Sequence, residues 1–481
     1  MPVKLLGLGT VEGRVRALAA LALLALVVLV VSAGFAVRDG REGARTLGER
    51  EGPLAENIGD MYFALAEMDA QVTRVLLTGG EAGWLCAPEV DGSGCERSGA
   101  RYMYDIRRED AQQAALSATR LAGGEGARLR TVRSVLNTLH TYDRHVQAAM
   151  TAAADSGQGT DGTAAALPEA AVREYRTATA LMTRELLPEA SNLVADSAAD
   201  VATAYREEHS AVRAGRLRVL AAGLALLAAV GSLQVYLARR FRRLLSAPLA
   251  AALAGALALT VTAAARLDTE ADRLEAAKTA GLDPVLALTR VQALSTGMDT
   301  DRARQIVDPD NAGRYDNRYL DKSQTLLHLA GATGLDAYYR ELGRSVAGWD
   351  GNPRAVDFGG YYGRRARGEV ARAGDFGALL TAYGRYQDHN RDVRELADGG
   401  RLDAAARAHM DPRWGNLPHP TFRSYDRELD ARVSHHQYRR VHAALRAEQA
   451  LRPMPWLLPA AALAIAALVV AGVWPRLAEY R

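Results

Sequence analysis

The side chains best suited to metal or acid–base chemistry are the ten histidines, six of which fall late in the chain, at His389, His409, His419, His435, His436 and His442. A zinc site needs three or four nitrogen, sulfur or carboxylate ligands at compatible spacing. None of these six stands four residues from another, and no neighbouring acid completes a familiar ligand set. Solvated positions on helix faces are therefore the expectation. The two cysteines, Cys86 and Cys95, share one short segment with Gly92-Ser93-Gly94 between them. With no third cysteine they cannot build a zinc or iron–sulfur centre. In an oxidising compartment a bridge is favoured, worth roughly 2 to 3 kcal/mol for so short a loop. Gly92-Ser93-Gly94 has no nucleophile-elbow setting, and the run Gly7 to Gly13 lacks the strand–turn–helix context of a nucleotide loop. No catalytic residue, metal ligand or cofactor is nominated, and the expected role is non-enzymatic.

Two other groups could serve recognition. Arg239, Arg240, Arg242 and Arg243 lie within five residues without an acid, offering guanidiniums to acidic side chains or anionic lipid. The stretch Trp349 to Gly363 holds several glycines and four aromatics, Trp349, Phe358, Tyr361 and Tyr362, followed by Arg364, Arg365 and Arg367. A loop of this kind can form a recognition surface; the alternative is that its aromatics tuck under a helical bundle.

The elements that position these groups follow from where charge is missing. Residues 17–37, 219–238, 244–265 and 453–475 carry no charged side chain, and an arginine bounds each of their ends. A helix rising ~1.5 Å per residue crosses a ~30 Å hydrocarbon core in roughly twenty residues. Four transmembrane helices result. The first could be a cleaved signal peptide, but secretory apolar regions run about 7 to 15 residues and this one is longer. Transport would want ionisable groups or broken helices at membrane depth, and the spans contain only Tyr236, near an end. Ala250, Ala254, Ala258 and Thr262 recur every four residues in the third span, predicting close packing of the second and third spans. The formal charge of +3 excludes little, because arginines and acids are interleaved, and no nucleic-acid partner is expected.

Basic residues of short loops favour the cytoplasm. That rule places inside the N-terminus (1–16), the arginine hairpin (239–243) and the tail (476–481). Residues 38–218 and 266–452 then lie outside the cytoplasm of a multi-pass plasma-membrane protein, with the cysteines on that side. In the first of these segments Leu54, Ile58, Met61, Leu65, Met68, Val72 and Val75 alternate spacings of four and three, a heptad seam. Leu129, Val132, Leu136, Leu139, Tyr142 and Val146 form a second series. Residues 99–122 read as a helix between them, and a further helix from Pro168, broken near Pro188, leads into the second span. The second segment reads as helices over 285–297, 316–346, 363–398 and 421–450 after a break at Gly281 to Pro284. The fold class is all-α: four transmembrane helices with two extracytoplasmic helical-bundle domains of the chemoreceptor four-helix type.

Four stretches carry a resemblance: MYFALAEMDAQVTRVLLTGG at 61–80, RYMYDIRREDAQQA at 101–114, EYRTATALMTRELLPEA at 174–190 and YGRYQDHNRDVRELADGG at 383–400. With the four-span topology, they resemble the GlnX family of actinobacterial membrane proteins. That resemblance implies a signal transducer between an exported solute-binding protein for acidic amino acids and the cytoplasmic serine/threonine protein kinase G, and it is compatible with a homodimer. It assigns no contact residues. The inside-facing parts are too short to house a kinase or cyclase, so a separate cytoplasmic protein must read any signal. A direct small-ligand receptor and a structural protein of the envelope are the alternatives.

Overall fold

A computed structural model describes residues 11–78, 99–122, 126–155, 167–241, 246–368, 376–411, 417–451 and 454–478. Among them there is no strand, only two isolated bridges, His328 with Gly359 and Met410 with Pro418. Four helices are long and apolar enough to cross a membrane, as expected for backbone that must satisfy its hydrogen bonds internally in lipid. The chain divides into two units, one of residues 1–50, 201–278 and 440–481, the other of 51–200 and 279–439.

The first unit is built on α1 (Val11–Arg45), the later part of α6 (Leu187–Phe241), α7 (Ala247–Ala277) and α15 (Met454–Ala478). Along its charge-free stretches many exposed side chains are apolar: Leu24, Val27, Phe35, Leu224, Val261, Leu463 and Val470 among them. In water this would be costly; against lipid it is the favoured arrangement. Trp456 and Trp474 are 81% and 68% exposed and stand about 27 Å apart along α15. That is close to the span of a hydrocarbon core between two aromatic belts. Helices approach closely at small residues. A Cβ on Gly223 would fall 2.2 Å from Thr260, one on Gly215 2.8 Å from Ala36, and one on Gly472 2.6 Å from Leu249. The second and third spans thus meet, but not through the expected stripe. Ala254, Ala258 and Thr262 are exposed, and Ala252, Ala256 and Thr260 face inward instead. Both series have period four, so spacing alone could not tell them apart.

The second unit contains α2 (Gly52–Leu77), α3 (Ala100–Leu121), α4 (Gly126–Asp155), α5 (Glu169–Leu181) and the start of α6. It continues with α8 (Asp283–Val307), α9 (Ala312–Leu326), α10 (Leu335–Ala347), α11 (Gly360–Ala366), α12 (Phe376–Asp398), α13 (Leu402–His409) and most of α14 (Pro420–Leu451). All seven heptad-seam residues of α2 are at most 1% exposed, and they pack with Val132, Leu139, Tyr142 and Val146 of α4. The segments 38–218 and 266–452 were expected as separate bundles. Here their helices close on one another in one compact unit, and Ala293 and Val307 of α8 join the core built around α2. The stretch expected as one helix over 316–346 is two helices, separated where Gly331, Thr333 and Gly334 interrupt the pattern. The helix expected over 363–398 is likewise divided, between α11 and α12.

Three of the long helices in this unit follow a π-turn. Thr46–Glu51 precedes α2, Met182–Leu186 precedes α6, and Lys278–Leu282 precedes α8. Helix therefore runs unbroken over Gly13–Leu77, Glu169–Arg239 and Ala247–Val307. The breaks expected near Pro188 and Gly281 to Pro284 are these π-turns, because a proline at the first turn of a following helix lacks only an N–H that would be unsatisfied anyway.

Candidate functional site

α2 and α8 are buried on nearly every side, and each carries charge into the interior. In α2 the buried polar residues are Asp69, Gln71, Thr73 and Arg74; in α8 they run from Thr289 through Gln305. Such groups are tolerated only when paired. The pairing is reciprocal. Arg74 reaches Asp299 at 3.3 Å, while Arg304 pairs with Asp69. Both helices carry the same signature: Met68-Asp69 is followed by Arg74, and Met298-Asp299 by Arg304. Gly59 faces Leu286 and Thr289, and Glu67 accepts a hydrogen bond from Thr296 at 2.7 Å. Contact thus advances in the same direction along both helices, which run parallel. Two similar helices, each after a π-turn and an early proline, exchange ion pairs about a local two-fold.

Neighbours complete this seam. Arg304 also bonds Asp301 at 2.7 Å, and Lys322 of α9 bonds the other oxygen of Asp301 at 2.5 Å. Burial alone would raise the Asp301 carboxyl; Lys322 and Arg304 outweigh it and hold the group below the usual carboxylate range. Tyr142 donates to Asp69 at 3.2 Å. Asp426 of α14 sits near Glu67 and Asp430, and burial followed by repulsion from those two acids pushes its pKa up to about 7. Gln292 donates to Asp430 at 2.5 Å.

The late histidines depart from expectation. His409 is buried, with Nε2 3.8 Å from Asp299, and His389 and His419 stack with ring centroids 3.7 Å apart. His436 is buried too, its Nδ1 2.8 Å from the carbonyl of Ala280. Of the six, only His435 is exposed on a helix face as expected, and His442 is half-buried. Burial lowers the pKa of His389, His409 and His419, the last to about 4, so all three are neutral at pH 7. Among the described residues no three His, Cys, Asp or Glu side chains are grouped to hold a metal ion. Sequence spacing missed this convergence because the histidines lie on α12, at the end of α13 and before α14. The repeated Met-Asp-x-x-x-x-Arg signature was a readable signal.

The aromatic residues nominated for recognition form core. Phe358, Tyr361 and Tyr362 are at most 6% exposed, and Trp349 packs edge-on against Phe358 and Phe376. Tyr362 and Tyr425 share a 2.5 Å hydroxyl hydrogen bond, and Tyr425 bonds Ser295 of α8 at 2.8 Å. The loop aromatics thus support the seam from behind. Arg364 and Arg367 are exposed and Arg365 is buried. Of the hairpin, Arg239 is exposed at the end of α6; the side chain of Arg240, together with Arg242 and Arg243, lies outside the described residues, as do Cys86 and Cys95.

Residues 43–206 match the family model of the actinobacterial sensor domain, about a third of the chain. No curated protein and no solved structure matches the chain. The matched segment contributes α2 to α5 and with them one side of the seam. Together with four helices of membrane-spanning length, the match supports an actinobacterial membrane protein with a sensory role.

Proposed function

We propose that this chain is a non-enzymatic transmembrane signal transducer. It would relay an extracytoplasmic solute signal, from acidic amino acids presented by an exported solute-binding protein, to a serine/threonine kinase in the cytoplasm. The observation that carries the reading is that the helices of the first and third spans continue without a break into α2 and α8. Those two helices are the ones locked by the exchanged ion pairs. A partner that prefers one arrangement of the seam shifts the equilibrium between arrangements, and the output is displacement of a helix rather than a reaction. The arginine hairpin, on the cytoplasmic side by its charge, is the natural output element.

The test is cross-linking in intact cells, followed by purification and mass spectrometry of what comes with the chain. Recovery of a solute-binding protein and a kinase, in yields that change with glutamate or aspartate, supports the reading. Recovery of the chain alone, or with envelope-assembly proteins only, refutes it. Replacing Arg239, Arg240, Arg242 and Arg243 by Gln should abolish kinase output in a correctly inserted variant; intact output would remove the hairpin from the mechanism.

A further inference from the structure

The end of α1 carries a site that the transducer reading does not use. Gly34, Arg38, Arg41 and Arg45 advance by four, three and four residues and so share one face of the helix. This face begins inside the apolar span and leaves it at Arg38. It lines a cavity of about 380 Å³ together with Val37, Glu42 and, from α15, Leu458. A Cβ on Gly34 would meet nothing within 4 Å, so the glycine leaves a notch open toward the apolar side. Asp39, next to Arg38 in sequence, is turned to Arg218 at 3.5 Å. Three guanidiniums against the single carboxylate of Glu42 leave the cavity formally cationic, beside an apolar wall of Val37 and Leu458.

We infer that this cavity binds the phosphate headgroup of an anionic phospholipid. The chemistry is specific in two ways. Guanidinium forks match phosphate oxygens bidentately and are less strongly hydrated than ammonium groups. The arginines also sit where an apolar span ends, the depth at which a lipid phosphate lies while its acyl chains run along the apolar surface below. A soluble phosphate would use the guanidiniums but gain nothing from the open notch at Gly34 and the Leu458 wall. The lipid uses both. Its volume lies within the ~300–1,000 Å³ typical of small-molecule sites.

The test uses the full chain in nanodiscs of phosphatidylcholine, with or without phosphatidylglycerol, reading thermal stability and retained phosphatidylglycerol per protein by mass spectrometry. Phosphatidylglycerol should stabilise the wild-type chain and be retained through exchange into phosphatidylcholine. Each arginine removed should weaken retention roughly fivefold, so Arg38→Gln/Arg41→Gln/Arg45→Gln should lose it. Leu458→Trp keeps every charge and fills the notch, and it should lose retention as well; it decides the matter if the triple variant fails to insert. Equal retention by wild type and Leu458→Trp would overturn the assignment. So would equal stabilisation by inorganic phosphate in phosphatidylcholine discs, which would make the cavity a soluble-anion site.

Discussion

Replacing Arg304 and Arg74 by Met, one at a time, separates the two halves of the seam. The Arg304 side chain is 1% exposed and bonds Asp69 and Asp301. Removing it leaves Asp301 with Lys322, but leaves Asp69, 4% exposed, with only the Tyr142 hydroxyl. An uncompensated buried carboxylate of this kind costs about 3 to 5 kcal/mol, equivalent to a Tm lower by roughly 10 °C for a unit of this size. Removing Arg74 leaves Asp299 beside His409 at 3.8 Å, and that ring can take up a proton. In the wild-type chain burial, with Arg74 nearby, holds the His409 pKa below 6.5 despite Asp299. Its contribution to stability is present above pH 6.5 and is lost as pH falls. Without Arg74 that depression weakens, so less of this contribution is lost as pH falls. Asp426, whose raised pKa Arg74 counteracts, moves in the same direction. The deficit of Arg74→Met relative to wild type should therefore shrink between pH 8 and pH 5.5. Thermal melting of the purified chain across this range provides the measurement. A deficit that does not shrink toward pH 5.5 would refute the assignment of His409 as a reserve partner.

Asp426→Asn should stabilise the chain at pH 8, where burial and the neighbouring acids oppose ionisation of Asp426, by at most about 4 kcal/mol, and by less than half of that at pH 5; an equal effect at both pH values would exclude the acid cluster as its cause. Gly223→Leu should destabilise the chain in detergent by about 1 to 3 kcal/mol, read as a lower melting temperature, because its side chain must enter space held by Thr260. Ala258→Leu, on the exposed face of the same helix, should be tolerated. Tyr362→Phe should cost about 1 kcal/mol through the lost hydroxyl bond to Tyr425, and chemical denaturation reads this directly.

What the sequence made legible was whatever rests on a single helix. The four charge-free stretches, the heptad seam from Leu54 to Val75 and the helix over 99–122 each report burial or length along one element, and each appears where expected. What it left hidden depends on which helix lies opposite. The face of α7 could not be chosen between Ala254/Ala258 and Ala252/Ala256 without Gly223 across from it. The glycine-rich loop around Phe358 could be read as a surface or as core because the sequence does not show Tyr383 and Tyr425 covering it. The buried charges of α8 look like a solvated face when Asp299, Asp301, Arg302 and Arg304 are read alone. Only their partners on α2 and α9 make an interior position affordable.

Those partners also constrain how the seam can move. The two exchanged pairs sit a little over one helical turn apart on each helix, Asp69 from Arg74 and Asp299 from Arg304. A slide of α8 along α2 by one turn, about 5.4 Å, would part both pairs together and take Asp69 and Arg74 from their ionic partners. A tilt about the pairs keeps both and disturbs mainly the apolar contacts farther along, such as Gly59 against Leu286. Apolar contacts tolerate small shifts because they are non-directional, whereas buried ion pairs fix register. The seam is therefore stiff to sliding and compliant to tilting. The unbroken helices from the first and third spans enter at its compliant end.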